Sequence, residues 1–345
     1  MHAPPAERSI VIAGAGAVGG YIGGLLAGAG RKVALLGRAE AMQGLAEQGL
    51  RLTDRDGLDV TVAPDSFTAG ADPALLRHAS LVLVTVKGGD TAEMGRLIAA
   101  HLPASVPVVS LQNGIANASL LRAALPDNPV LAGMVPYNVT RPAQNHLHRG
   151  SGGKLRVEAG DPDILKELTA PGLEAAEEKD IEAALWGKLL INLNNALNAL
   201  SGLPLREQLR TRGWRRLLAA QIGEALAVLR MAGIQAKSPL AVPLGTLPLL
   251  LRLPALPFEV VKMDAQARSS MWDDLERRRP TEIDLLQGEI LALARHHGLE
   301  TPVIAGITAA VKRAEAAQAG SPKLRPEQVI GVRHLLAERY THQKR

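Results

Sequence analysis

Residues 9–13 and 32–36 are short apolar runs separated by Gly14-Ala15-Gly16-Ala17-Val18-Gly19 and a helical stretch that Gly30 stops. Strand, glycine-spaced turn, helix and second strand, in that order and this close together, form the βαβ unit that carries a dinucleotide fingerprint. Each glycine has a separate task. Gly14 permits the tight turn, Gly16 lets backbone amides approach a pyrophosphate, and Gly19 lets the helix pack closely on the strand. The unpaired N–H groups and dipole of the helix start favour phosphate, so Gly14, Gly16, Ala17, Val18 and Gly19 are the expected cofactor cradle. At the end of the second strand an acid commonly holds a ribose 2′-hydroxyl. This chain has Leu36-Gly37-Arg38 there, with no acid before Glu40. Arg38 suits a 2′-phosphate, so NADP(H) is expected over NAD(H).

Residues 81–86 form another apolar strand ending at Lys87, and residues 106–111 form one ending at Gln112-Asn113-Gly114. Ligands of open parallel sheets sit outside the carboxyl ends of the strands, which places Lys87 and Asn113 for function. The alternative for both is a turn or cap. Extended runs at 133–139 and 154–159 are expected to extend the sheet. From about residue 180 helical spacing takes over, at 181–200, 206–232, 257–271, 281–297 and 302–319. The expected architecture is α/β, with a Rossmann-type dinucleotide-binding domain at 1–180 and an all-helical domain at 181–345. The Pro/Leu segment 238–257 is expected to wrap the surface or roof a pocket.

A chain of 345 residues is long enough for two such domains. It has no cysteine, which excludes a disulfide framework, a thiolate metal site and a cysteine nucleophile. No metal is expected. The N-terminus lacks the pattern of a secretory signal, and no uninterrupted apolar run reaches about 18 residues. A cytoplasmic protein without membrane contact follows. The formal net charge of +5 fits an anionic substrate or cofactor. Nucleic acid is not expected, because the basic residues are spread along the chain and aromatics for stacking make up only 2%.

The helical half contains two segments unlike plain core. Lys188 and Asn192 are four apart within Leu185-Trp186-Gly187-Lys188-Leu189-Leu190-Ile191-Asn192, hence on one helical face. Apolar surroundings would lower the pKa of Lys188 into a range useful for proton transfer. Asparagines at 192, 194, 195 and 198 weaken the helix, which a purely structural helix has little reason to accept. In the second segment, 269–284, Thr281 is placed to cap the following helix with Asp284 completing a loose box. Glu282, taken alone, reads as a charge compensating the helix dipole.

Together these segments resemble the ketopantoate reductase (2-dehydropantoate 2-reductase) family over nearly the whole chain. The resemblance rests on five ordered motifs: the glycine turn with Arg38; Val86-Lys87; Gln112-Asn113-Gly114; Trp186-Gly187-Lys188 through Asn192; and Ser269-Ser270-Met271 with Arg279-Pro280-Thr281-Glu282. It implies reduction of 2-dehydropantoate to pantoate by NADPH, a step of pantothenate and coenzyme A biosynthesis. Lys188 then matches the general acid and Glu282 the acid beside it. Asn113, Asn192 and Ser270 match substrate contacts, with Asn113 also framing the nicotinamide. Lys87 matches a lysine near the cofactor, and a homodimer is the expected assembly. One position departs: where the family commonly has a second asparagine followed by proline, this chain has Ala196-Leu197. Asn195 and Asn198 are nearby but are read as lying on different helix faces, so the identity of the 2-keto acid stays open. Two alternatives remain. A β-hydroxyacid or opine-type dehydrogenase is disfavoured by the segments at 269–270 and 279–282. A non-catalytic NADP(H)-binding protein has no need of both Lys188 and Glu282.

Overall fold

The computed structural model describes residues 9–254 and 267–330. Backbone contacts divide the chain into two units between Ile181 and Glu182. The first unit carries strands β1 (Ser9–Ala13), β2 (Val33–Leu36), β3 (Leu50–Asp54), β4 (Asp59–Val62), β5 (Thr68–Gly70) and β6 (Ala79–Val84). It continues with β7 (Val108–Ser110), β8 (Val130–Met134), β9 (Val139–Ala143), β10 (His146–Arg149), β11 (Leu155–Glu158) and β12 (Ala175–Glu178). Its α-helices are α1 (Ala17–Gly28), α2 (Ala39–Gln48), α3 (Thr91–His101), α4 (Asn117–Ala124) and α5 (Pro162–Glu167).

Eight strands form one sheet in the order β12-β11-β8-β7-β6-β1-β2-β5. Every pairing is parallel except β8 with β11. The central strands are apolar at nearly every position because both faces are covered. Alternate side chains then serve different cores. Ile10, Ile12, Leu35, Leu81 and Leu83 join one buried cluster, and Val11, Ala13, Leu36, Val82 and Val84 join the other.

A second sheet, β4-β3-β10-β9, departs from expectation. The run at 133–139 does not simply extend the main sheet: β8 does, but Val139 opens β9 in the second sheet. The run at 154–159 does join the main sheet as β11. Helix α1 packs on both sheets, which explains its composition. A Cβ at Gly23 would lie 2.8 Å from Ile12 and one at Gly24 2.9 Å from Leu52. One glycine face thus lets the helix down onto β1, and the adjacent face lets it approach the second sheet.

Among its described residues the second unit has helices and no strand: α6 (Ile181–Asn192), α7 (Asn194–Ser201), α8 (Leu205–Arg210), α9 (Arg212–Met231), α10 (Leu247–Arg252), α11 (Ser270–Glu276), α12 (Ile283–His296), α13 (Pro302–Ala317) and α14 (Pro326–Ile330). Two expected helices are interrupted. Residues 181–200 break at Leu193, whose carbonyl accepts the side-chain amides of Gln221 at 3.1 Å and Gln287 at 2.9 Å. Residues 206–232 break at Thr211. Most of the helix expected over 257–271 lies outside the described residues, and Ser270-Met271 begin α11.

The capping box at Thr281 is absent. The Asp284 carboxylate instead accepts from Lys312 Nζ at 2.5 Å, while Thr281 Oγ1 accepts the Ile283 amide at 3.2 Å. In the Pro/Leu segment, Pro248 and Leu251 of α10 are buried. Arg215 is buried despite its charge. Its guanidinium donates to the carbonyls of Leu209, Arg210, Leu251, Leu253 and Pro254, tying α10 to the start of α9.

Candidate active site

The glycine turn sits at the carboxyl end of β1. Gly14 has φ +106°, a conformation that L side chains rarely adopt, and a Cβ there would lie 2.6 Å from the Val86 nitrogen. The amides of Gly14 and Ala15 both donate to Leu36 O, at 2.9 and 3.0 Å, joining the turn to the end of β2. Thr85 Oγ1 donates to Gly14 O at 2.8 Å. Gly16 is the N-cap of α1, and no side-chain group bonds the first amides of that helix. It is exposed, and a Cβ there would meet nothing closer than Gly14 O at 3.8 Å. Ala17 and Val18 are half-buried behind it, and Gly19 is buried against Ile12. Exposed Arg38 is the N-cap of α2, two residues beyond the strand end to which the turn is bonded. Open space, unbonded amides and a nearby guanidinium are what a dinucleotide with an extra phosphate needs.

Lys87 follows β6 and is exposed, while Asn113 follows β7 and is half-buried. A buried hydrogen-bond chain holds their two loops together. Ser110 Oγ donates to Gln112 Oε1 at 3.1 Å. Gln112 Nε2 donates to Val86 O at 3.1 Å and to Thr91 Oγ1 at 2.7 Å. Thr91 Oγ1 in turn lies 2.8 Å from Gly88 O and 2.7 Å from Asn117 Oδ1. Asn117 Nδ2 donates to Asn113 O at 2.5 Å. That last bond fixes the Asn117 amide with its oxygen toward Thr91, so the chain runs in one direction. Sequence reasoning singled out Gln112 only as part of a motif and missed Thr91 and Asn117. Polar residues at the starts of α3 and α4 look like ordinary caps until the two loops are seen side by side.

In the second unit, Lys188 and Asn192 are half-buried on α6 among buried neighbours. Burial pushes the Lys188 ammonium down to about 8, and the nearby Glu282 carboxylate pulls the other way. Glu282 is half-buried at the N-cap position of α12. Gly187 is required by a crossing chain: the Lys237 amide donates to Ala183 O at 2.8 Å, and a Cβ at Gly187 would collide with the Lys237 carbonyl. Ser270, exposed, opens α11. The preceding Ser269 is held on three sides. Its amide donates to Asn198 Oδ1 at 2.8 Å, its hydroxyl donates to Asn195 O at 3.1 Å, and that hydroxyl accepts from the Trp272 amide at 3.1 Å. Within this unit the fold therefore couples Lys188 to Glu282 and ties the Ser270 segment to α7.

The asparagines have separate roles. Asn198 is wholly buried and donates to Leu203 O at 2.9 Å and Gln208 Oε1 at 3.0 Å, while Asn194 Oδ1 accepts from Gln208 Nε2 at 2.8 Å. These two are structural, which the helix-weakening argument did not distinguish from binding. Among the described residues, no group of three or more His, Cys, Asp or Glu is placed to hold a metal ion. No described helix is long and apolar enough to cross a membrane.

The chain matches the family described as Ketopantoate reductase PanE/ApbA over residues 10–162, and its C-terminal counterpart over residues 180–315. A 2-dehydropantoate 2-reductase of Halobacterium salinarum is 27% identical over 315 residues, covering 89% of this chain and 98% of that protein. One from Salmonella typhi is 29% identical over 273 residues, covering 77% and 83%. Among solved structures, a PanE/ApbA family ketopantoate reductase from Ralstonia eutropha JMP134 is 30% identical, with a TM-score of 0.78 over 90% of this chain and 99% of that one. A D-mandelate dehydrogenase solved with NADH and anilino(oxo)acetate is 21% identical, with a TM-score of 0.76 over 90% and 99%, a likeness of fold.

Proposed function

Because this chain belongs to the ketopantoate reductase family, we propose that it reduces 2-dehydropantoate to pantoate with NADPH, with Lys188 as general acid, in pantothenate and coenzyme A biosynthesis. The observation that carries the chemistry is Lys188: a half-buried ammonium brought down to about 8, with Glu282 beside it. An acid with a pKa near the working pH is both protonated and ready to give its proton up.

The residues of the first unit fit the cofactor. The open space at exposed Gly16 and the uncapped start of α1 would take the pyrophosphate. Arg38 would take the 2′-phosphate and so favour NADPH over NADH. Bound NADPH supplies the hydride. The chain supplies orientation and charge. In the second unit Ser270 would hold the substrate carboxylate and Asn192 would hold the substrate one turn from Lys188; in the first unit Asn113 is the candidate for a substrate contact and for framing the nicotinamide. As negative charge builds on the carbonyl oxygen, Lys188 Nζ gives it a proton. Glu282 keeps that lysine charged until then, since its carboxylate favours the ammonium form.

A second reading keeps the mechanism and changes the substrate to another 2-keto acid. Ala196 favours it, because a wholly buried methyl offers no hydrogen bond to a substrate.

The deciding experiment follows NADPH oxidation with 2-dehydropantoate and a panel of other 2-keto acids, beside Lys188→Ala. Fast turnover of 2-dehydropantoate that the variant lowers by about 10²- to 10⁴-fold, with NADPH affinity kept, supports the first reading. Turnover of a different keto acid supports the second. NADPH binding with no turnover across the panel would sink both.

A further inference from the structure

An asparagine at the start of a helix ordinarily caps that helix's own first amides. Asn117 does not. It is the first residue of α4, the N-cap position is Ala116, and no side chain caps the helix. The Asn117 amide is buried and turned instead toward the loops after β6 and β7, with Nδ2 on Asn113 O and Oδ1 on the Thr91 hydroxyl.

The hydrogens of this chain can be assigned one by one. Thr91 Oγ1 has one hydrogen and two acceptors in reach, Gly88 O at 2.8 Å and Asn117 Oδ1 at 2.7 Å. Gly88 O already accepts the Thr91 amide, so the hydroxyl hydrogen is best placed on Asn117 Oδ1. Gln112 Nε2 has two hydrogens, one for Thr91 Oγ1 and one for Val86 O, and Gln112 Oε1 accepts from Ser110. Ser110, Thr91, Gln112 and Asn117 are all buried, so a lost bond leaves an unpaired polar atom rather than a hydrated one.

The two ends of the chain are backbone carbonyls. Val86 O belongs to the peptide that enters Lys87, and Asn113 O to the peptide that leaves Asn113. A peptide unit is planar, so holding these two fixes φ at Lys87 and ψ at Asn113. Gly114 completes the turn with φ +96°, which glycine adopts without strain.

We propose that Asn117 is a positioning residue: it pins the Asn113 backbone directly and, through Thr91 and Gln112, holds the Lys87 backbone in register with it. This rests on the reading of Asn113 as a substrate contact that frames the nicotinamide. Asn117 touches neither substrate nor cofactor in this account and acts through Asn113.

The test uses the keto acid that wild type reduces best, with thermal midpoints and NADPH Kd measured alongside. Asn117→Asp is nearly isosteric; as a carboxylate it still accepts from Thr91 but has no hydrogen for Asn113 O. It is expected to lower kcat/KM by about tenfold or more, chiefly in kcat, since misplacing a contact by about 1 Å costs up to about 100-fold. NADPH Kd is expected to stay within about threefold, because the Gly14–Gly19 turn and Arg38 stand outside the chain. Thr91→Val should show the same split, and Thr91→Val combined with Asn117→Asp should lose little more than either alone, as members of one unit do. Thr91→Ser, which keeps the hydroxyl, should retain most of the activity. A lower midpoint with kcat/KM unchanged in Asn117→Asp would leave the chain a purely structural role and overturn the proposal. Equal losses in kcat and NADPH affinity, or fully additive losses in the double variant, would overturn it as well. An active wild type with fully active variants removes this inference alone. If wild type reduces no keto acid, the reaction reading fails on that result, and this inference falls with it.

Discussion

Lys188 shows how one residue's surroundings set both chemistry and stability. Burial lowers its pKa from the usual 10.5 to about 8. As the proposed proton donor it must be charged, so kcat for keto reduction is expected to hold below pH 8 and fall above it. A pH–rate profile flat to pH 9.5 would remove Lys188 from that role. The stability consequence has the opposite sense. Between pH 8 and 10.5 the unfolded lysine binds more proton than the folded one, so stability attributable to this group rises with pH across that window. Lys188→Met should therefore unfold at a higher temperature than wild type at pH 7, with the gap closing toward pH 10.5, while turnover is lost. Its neighbour Gly187 is constrained by sterics alone. Gly187→Ala drives a methyl into the Lys237 backbone, and a loss of about 2–4 kcal/mol in urea unfolding is expected. A loss under about 0.5 kcal/mol would show that the crossing chain yields easily.

At the scale of elements, α1 carries the most tertiary information per residue. Its apolar, glycine-rich sequence looks like a simple Rossmann helix, yet the glycines line two faces because two sheets flank it. Glycine-to-alanine exchange in a helix ordinarily stabilises by about 0.5–1 kcal/mol. That is expected at Gly223 of α9, where a Cβ would meet nothing within 4 Å. The same exchange at Gly23, where a Cβ would press on Leu35 at 2.6 Å and Ile12 at 2.8 Å, is expected to destabilise by about 1–3 kcal/mol. Paired urea titrations decide it, and equal signs at the two sites would refute the close packing of α1 on β1 and β2. The buried hydrogen-bond chain from Ser110 to Asn113 joins the loops after β6 and β7 in the same way that the sheets join around α1. Thr91→Val removes its central hydroxyl and should cost about 1–3 kcal/mol, with Thr91→Ser close to wild type.

For the molecule as a whole, the chain divides between Ile181 and Glu182, and the proposed cofactor residues Gly14–Gly19, Arg38 and Lys87 all precede that division. NADPH at about 100 times its Kd should stabilise the first unit by about 2.7 kcal/mol. Hydrogen exchange is expected to show protection concentrated at 13–20, 36–39 and 85–90. Protection confined to α12 and α13 would contradict the cradle at Gly14–Gly19. The βαβ unit with its glycine turn was legible in the sequence because φ > 0, close helix approach and phosphate binding each demand particular residues at particular spacings. The Lys188–Asn192 face was legible because polar residues inside an apolar helix need a reason. The second sheet was not legible, since β3, β4, β9 and β10 are short and half-polar, and the pairing of β3 with β10 that joins its two hairpins links residues nearly a hundred apart. Nor could the sequence separate Asn195 from Asn194 and Asn198, which share one composition and differ only in partners. The chain by itself determined the cofactor turn, the helical second half and a lysine awaiting a site. Only tertiary structure decided which polar groups are used up internally and which stay free for a ligand, because hydrogen-bond satisfaction belongs to neighbours in space and not to neighbours in sequence.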